Sequence, residues 1–227
     1  MKNLAALLSE NPYPGRGVLC ARTLSGEVVG GYFLTGRSPA SRDRAVRIDG
    51  DELVVAPATV TEHDPLRHYV AAEATEDWLV FGNGEQVSTV TGRLRRGVCA
   101  AEALDDLEYE PDPPILTSRV TALLSRDGGR TAVLGAARPS SGARTSTNIM
   151  TLTVRDLEPG DAVLLTTYQS DGQNVSVAVP FTEASTGAED AGQLLEEIWN
   201  GLNDRYRIAV AVLDPAKGPG NALIRAS

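Results

Sequence analysis

Three segments of this 227-residue chain concentrate residue types that could do chemistry. The first, Gly36-Arg37-Ser38-Pro39-Ala40-Ser41-Arg42-Asp43-Arg44, sets arginines and hydroxyls around a tight turn after an apolar strand. Guanidinium groups supply fork-shaped donors, and serine hydroxyls and loop amides add more, so this loop suits a phosphate. The competing reading is a solvated loop in an arginine-rich chain. The second segment, Gly82-Asn83-Gly84-Glu85, reads either as a type I′ hairpin turn or as a polar loop at a site. The third, Leu107-Glu108-Tyr109-Glu110-Pro111-Asp112, gathers carboxylates where a helix is expected to end. Acidic groups there oppose the helix macrodipole, so they are either a solvated helix end or a placement kept for proton transfer.

Other chemistries find no support. His63 and His68 flank a turn-like stretch without metal-ligand spacing and read as surface residues. No GxSxG elbow, P-loop or GxGxxG run is present, and Met1-Lys2 exposes no N-terminal nucleophile. Cys20 and Cys99 form no CxxC pair and read as two buried free thiols.

Charge narrows the partner. Thirty acidic side chains against 21 basic ones leave a net charge of −9, which disfavours nucleic acid and anionic membranes. The basic residues are uneven: 19 of the 21 are arginines, and residues 16–47 hold six of them against two acids, a local +4. A pocket for one small anion is compatible with that segment. No apolar run approaches the roughly 20 residues that cross a bilayer, and the start of the chain lacks a secretory cleavage pattern. The expectation is a cytoplasmic protein with a small-molecule partner, and a homo-oligomer is compatible with the sequence.

The elements that must position these residues are mostly strands. Residues 2–8 suit an amphipathic turn or two, stopped by Asn11-Pro12-Tyr13-Pro14-Gly15. Residues 18–23 and 27–35 read as a hairpin, with further strands at 52–56, 78–81, 86–90, 119–124, 132–136, 147–154, 162–167 and 208–213. Residues 98–108 place Val98, Ala101, Leu104 and Leu107 at threes and predict a first helix, with a second at 189–202. Residues 140–147 read as a surface loop. Strand clusters with only two substantial helices predict a layered α+β domain over residues 1–227.

In chain order, several motifs resemble the archaeal-type inosine monophosphate (IMP) cyclohydrolase family, including its bacterial branch. They are Asn11-Pro12-Tyr13-Pro14-Gly15-Arg16-Gly17, then Gly36-Arg37-Ser38 with Ser41-Arg42-Asp43-Arg44, similar to the family's GRSxxSRNR. Tyr69, Asn83-Gly84, Tyr109-Glu110-Pro111-Asp112, Thr117-Ser118-Arg119-Val120 and Thr166-Thr167-Tyr168 follow. The resemblance implies a four-layer α-β-β-α fold like that of the N-terminal nucleophile hydrolases, without use of such a nucleophile. It also implies closure of 5-formamidoimidazole-4-carboxamide ribotide to IMP and water, with no metal or organic cofactor. On that reading Arg37, Ser38, Arg42 and Arg44 bind or shape the 5′-phosphate pocket, Arg37 also serving the reaction. Tyr69 polarises the formyl group and Glu110 shuttles the proton. Asn83, Gly84, Arg119 and Tyr168 hold the base and carboxamide. A divergent ribonucleotide enzyme and a non-catalytic purine-nucleotide binder are the alternatives.

Overall fold

The chain opens with a two-residue strand, β1 (Lys2–Asn3), and a short helix, α1 (Leu4–Ser9), capped by Asn3, whose side chain accepts from the Ala6 N–H. The β-favouring residues on either side of Leu24-Ser25-Gly26 then pair as β2 (Arg16–Arg22) and β3 (Val28–Thr35), the expected hairpin. Next come α2 (Pro39–Arg42), β4 (Ala45–Asp49), β5 (Glu52–Ala56), β6 (Tyr69–Ala74), β7 (Trp78–Gly82) and α3 (Gln86–Arg95). The strands β8 (Arg119–Ser125), β9 (Thr131–Pro139), β10 (Thr147–Arg155) and β11 (Asp161–Thr166) follow. The last elements are β12 (Gln169–Ser170), β13 (Val175–Ser176), β14 (Thr182–Ser185), α4 (Ala191–Gly201), β15 (Arg207–Leu213) and β16 (Leu223–Ala226). This computed structural model describes residues 1–59, 66–140, 146–178 and 181–227. His63 and most of the 140–147 loop lie outside the described residues.

Among the described residues the strands form two seven-stranded sheets, ordered β1-β14-β11-β2-β3-β15-β16 and β10-β9-β8-β7-β6-β5-β4, with β12 and β13 paired separately. The class is mixed α+β. Period-two alternation sorts the apolar side chains. Val18, Cys20, Tyr32 and Leu34 of the first sheet share one core with Leu53, Val55, Phe81, Ala122 and Leu134 of the second. Their neighbours Leu19, Ala21 and Phe33 turn the other way, against Leu4 and Leu8 of α1 and Leu194 and Ile198 of α4. Val80, Leu123 and Val133 of the second sheet likewise meet Val87 and Val90 of α3. A Cβ on Gly30 would stand 2.6 Å from the Phe81 ring, so the bare backbone lets the two sheets approach there.

Antiparallel pairing brings several strand ends to one place. The start of β2, the end of β3 and the end of β11 coincide, with Arg16 opposite Leu34 and Thr166 opposite Gly17. In the other sheet the end of β7 meets the start of β8, with Gly82 opposite Thr121. The loops leaving these ends carry the polar motifs.

Two expectations fail locally, for one reason. Residues 86–90 are the first turns of α3, not a strand: Val87, Val90 and Leu94 at i, i+3 and i+7 form an apolar face on the second sheet, a period that a five-residue window does not resolve. The Asn83-Gly84 turn is accordingly a strand-to-helix junction rather than a hairpin. Residues 98–108 do not form a helix; only Glu102–Leu104 make a 3-10 turn. Gly97 at φ 83° and Asp106 at φ 57° interrupt the chain there, and Arg93 of α3 donates to the Ala103 and Asp105 carbonyls, pinning the loop. Spacing at threes without the accompanying fourth positions fits that tighter turn. The second expected helix is found as α4, begun by Asp190, which accepts the Gln193 N–H at 2.8 Å. Of the two cysteines Cys20 is buried but Cys99 is exposed, because the segment that carries it is a loop.

The phosphate-type loop is built by a cap. Ser38 Oγ accepts the Ser41 N–H at 3.1 Å, the Ser38 N–H donates to Ser41 Oγ at 2.9 Å, and Pro39 occupies the first helical position. Ser38→Ala is expected to lower stability by about 1 kcal/mol, read from the urea midpoint at constant slope.

Candidate active site

A cavity of about 450 Å³ opens at these strand ends. Tyr13, Gly15 and Arg16 enter it from the start of β2 and Thr35 from the end of β3. Ser38, Ser41 and Arg44 come from α2 and the turn after it, and Leu66 and Arg67 from just before β6. Glu110 and Asp112 precede β8, and Tyr168 follows β11. A larger cavity of about 610 Å³ beside α1 and β11 has, among the described residues, only the acidic Glu10 and Asp171 as charged lining. Of these two cavities, the smaller is the one lined by the buried charges Arg16, Arg44 and Glu110.

At its floor lies a buried ion pair. Arg16 Nη2 donates to Glu110 Oε2 at 2.9 Å, with side chains only 7% and 4% exposed. Arg16 cannot drift: its N–H donates to Thr167 Oγ1 at 3.0 Å and its carbonyl accepts the Thr167 N–H at 2.8 Å. Glu110 is held in turn by its N–H on the Thr117 carbonyl at 2.8 Å. The second carboxylate oxygen accepts from Asn83 Nδ2 at 2.9 Å. Asn83 has one orientation only. Its Oδ1 takes the Val120 N–H at 2.7 Å, an unambiguous donor, while Nδ2 also donates to the Ser118 carbonyl at 3.0 Å. Both Glu110 oxygens therefore face donors and the carboxylate form is the one the site is wired for. Burial nevertheless pushes the Glu110 carboxyl above its ordinary value, opposed by Arg16. The outcome is a fixed carboxylate that takes up a proton more readily than one in water.

A second buried cation has no such partner. Arg44 is 8% exposed, and its Nε and Nη2 donate to the carbonyls of Ser41 at 2.8 Å and Thr35 at 3.0 Å. Among the described residues no carboxylate forms an ion pair with it. Burial accordingly pulls its guanidinium pKa down, the opposite of Arg16, whose neighbour Glu110 holds it well up. A charge kept in a wall at this cost has the chemistry to meet an anion. Close by, the Tyr32 and Tyr69 hydroxyls lie 2.8 Å apart, both buried, and burial raises the Tyr32 phenol well above its ordinary value. Across the cavity the Tyr13 ring stacks on Tyr168 with centroids 5.7 Å apart. A Cβ on Gly15, which has φ +74°, would stand 2.5 Å from the Tyr168 ring. Glycine alone allows that approach.

The family described as IMP cyclohydrolase-like protein matches residues 13–216, from Tyr13 in the cavity wall to beyond β15. The chain belongs to that family. As an IMP cyclohydrolase-like protein it is also 31% identical over 102 residues to the IMP cyclohydrolase of Methanopyrus kandleri, an alignment covering 44% of this chain and 50% of that one. The chain thus spans about half the length of the curated relative it matches.

The residues singled out in sequence are brought together unequally in this family member. Ser38, Arg44, Glu110 and Tyr168 line one cavity, and Asn83 and Gly84 back Glu110 from behind. Tyr69 is buried on Tyr32 and outside the lining. Arg37 is exposed, its guanidinium 5.2 Å from the Tyr13 ring centroid. Arg42 is exposed and outside the lining, because one turn of α2 turns it away as it turns Arg44 in. Arg119 pairs with Glu85 at 3.0 Å rather than lining the cavity. Arg16 and Asp112 escaped the sequence reading as site residues, although the first lies inside the Asn11 to Gly17 motif and the second beside Glu110. Among the described residues no cluster of His, Cys, Asp and Glu is built to hold a metal, and no helix is long and apolar enough to cross a membrane.

Proposed function

We propose that this chain is an IMP cyclohydrolase, closing 5-formamidoimidazole-4-carboxamide ribotide to inosine monophosphate and water. The observation that carries the reading is the pairing, in one cavity, of a buried cation with no carboxylate partner among the described residues, Arg44, and a buried, fixed carboxylate, Glu110. One end suits the 5′-phosphate and the other a proton transfer. Family membership and the name of the Methanopyrus kandleri relative support the same reading.

In the reaction the carboxamide nitrogen bonds to the formyl carbon, two protons leave nitrogen and the formyl oxygen departs as water. Both reacting groups sit on one ligand, so holding them planar makes the step unimolecular and removes several kcal/mol of orientational cost. Glu110 takes the carboxamide proton as the C–N bond forms and then the formamido proton as the C–O bond breaks, returning each to the departing oxygen. Tyr69, behind the lining with its hydroxyl on Tyr32, bears on the formyl group through the buried charges of Arg16 and Arg44 rather than by contact. Ser38, Ser41, Arg44 and Arg67 form the phosphate end, and Arg37 at the mouth against Tyr13 draws the anion in. Asn83 and Gly84 hold Glu110 in place, Tyr168 meets the base, and Arg119 supports the Asn83 loop through Glu85. We take the arrangement to be the four-layer α-β-β-α fold of the N-terminal nucleophile hydrolase type, one domain over residues 1–227, working in the cytoplasm without a cofactor and compatible with a homo-oligomer.

Purified protein given the formamido ribotide should produce inosine monophosphate, followed by its ultraviolet absorbance. A rate no greater than buffer, with inosine monophosphate still bound in calorimetry, would replace this reading with that of a nucleotide-binding protein. Arg42→Ala should change ribotide affinity by less than about threefold, because an exposed charge outside the cavity adds only a screened field.

A further inference from the structure

One wall of the cavity is a chain of three side chains whose protons have a single consistent arrangement. Asp112 and Tyr168 line the cavity and Thr117 lies fully buried between them. The Thr117 N–H donates to Asp112 Oδ1 at 2.6 Å and the Thr117 hydroxyl donates to Asp112 Oδ2 at 2.5 Å. An ionised carboxylate only accepts, so the one proton of the threonine hydroxyl is committed to Asp112. The Tyr168 hydroxyl stands 2.6 Å from the same Thr117 oxygen. Two oxygens that close must share a proton, and the only one left is that of Tyr168. Tyr168 therefore donates into the wall and keeps only lone pairs for the cavity. The ring is held by the Tyr13 stack and by Gly15, and its backbone carbonyl takes Asn11 Nδ2 at 2.8 Å and the Thr166 hydroxyl at 2.9 Å.

We propose that the Asp112–Thr117–Tyr168 chain makes Tyr168 a hydrogen-bond acceptor toward the ligand, so that the site selects an N–H donor there, a carboxamide, and rejects a carboxylate. This rests on the ribotide reading above and adds to it the basis of selection. Asp112 and Thr117 are positioning residues that act through Tyr168. The physical ground is that an acceptor facing an acceptor leaves both groups unsatisfied in a desolvated site, where discrimination by a misplaced polar group is strongest.

The isosteric change Asp112→Asn reverses the chain. The Thr117 N–H still requires an oxygen opposite it, so the new amide NH₂ faces the threonine hydroxyl and donates to it. That hydroxyl proton turns to Tyr168, and the tyrosine proton turns into the cavity. Calorimetry with 5-aminoimidazole-4-carboxamide ribotide and its 4-carboxylate counterpart reads the consequence. The unmodified protein should favour the carboxamide by about tenfold or more, Thr117→Ser should keep that ratio, and Asp112→Asn and Thr117→Val should cut it by about tenfold. With both ribotides bound, an unchanged ratio in Asp112→Asn and Thr117→Val overturns the selectivity while leaving the cyclohydrolase reading intact. Failure of the unmodified protein to bind either ribotide overturns that reading and the selectivity drawn from it. A ligand-free measurement tests the proton arrangement by itself: with tyrosine labelled at the ζ carbon, the Tyr168 resonance should move in Asp112→Asn and not in Thr117→Ser. A Tyr168 resonance that stays put in Asp112→Asn overturns the proposal.

Discussion

Glu110→Gln is expected to lower turnover by about 10²–10⁴-fold, the range of a lost general acid–base group, while ribotide affinity stays within a few-fold. The amide cannot take the carboxamide proton, and it also conflicts with its surroundings. Arg16 Nη2 and Asn83 Nδ2 both donate to residue 110, and Asn83 cannot turn over because Val120 N–H and the Ser118 carbonyl fix its orientation. An amide must therefore direct its own NH₂ at one of these donors. That contact should cost about 1–3 kcal/mol of stability, seen as a lower urea midpoint. The pH profile gives an independent check. Activity needs the ionised carboxylate, and burial raises its pKa above the ordinary value. The acid limb of the rate should thus fall at higher pH than for an ordinary glutamate and vanish in Glu110→Gln. Full turnover in that variant would remove Glu110 from the chemistry.

Arg44→Met should weaken ribotide binding by about 10–150-fold, the worth of a charge-assisted hydrogen bond to phosphate at about 1.5–3 kcal/mol. The argument rests on what surrounds the buried guanidinium among the described residues: two backbone carbonyls and no carboxylate. On the proposed function the 5′-phosphate would supply a counter-charge. Methionine keeps most of the stem volume, so packing survives and the loss falls on binding. The direct readout is the rise in melting temperature that saturating ribotide produces, which should shrink in Arg44→Met and persist in Arg42→Ala. Equal rises in both variants would place the phosphate elsewhere.

Much of the fold was legible because it is written locally. The β2–β3 hairpin follows from β-favouring runs on either side of Leu24-Ser25-Gly26, and α4 follows from its apolar spacing and Asp190 cap. The two misread segments, 86–90 and 98–108, adjoin each other, and each has an apolar pattern that fits two periods over a short window. Packing chose between them: Val87 and Val90 gain burial as a helical face, and Arg93 ties residues 103 and 105 into a loop around it. Of the site, the sequence showed the serine and arginine loop and the carboxylates before β8, but ranked Arg37 and Arg42 with Arg44. Three arginines before, on and after a capped single turn point three ways, and only the last lines the cavity.

What the sequence by itself determined is the set of local decisions: strands, caps, the cation-rich segment in an acidic chain, and motifs sufficient to resemble a family. Only the tertiary structure decided which charges meet. Arg16 and Glu110 are 94 residues apart, and they are joined because antiparallel register brings the ends of β2, β7 and β8 together in a buried place. Periodicity and propensity act between near neighbours, whereas desolvation is a property of the assembled interior. The overall −9 therefore says little about the site, where the assembled interior gives buried Arg16 a carboxylate and buried Arg44 two backbone carbonyls.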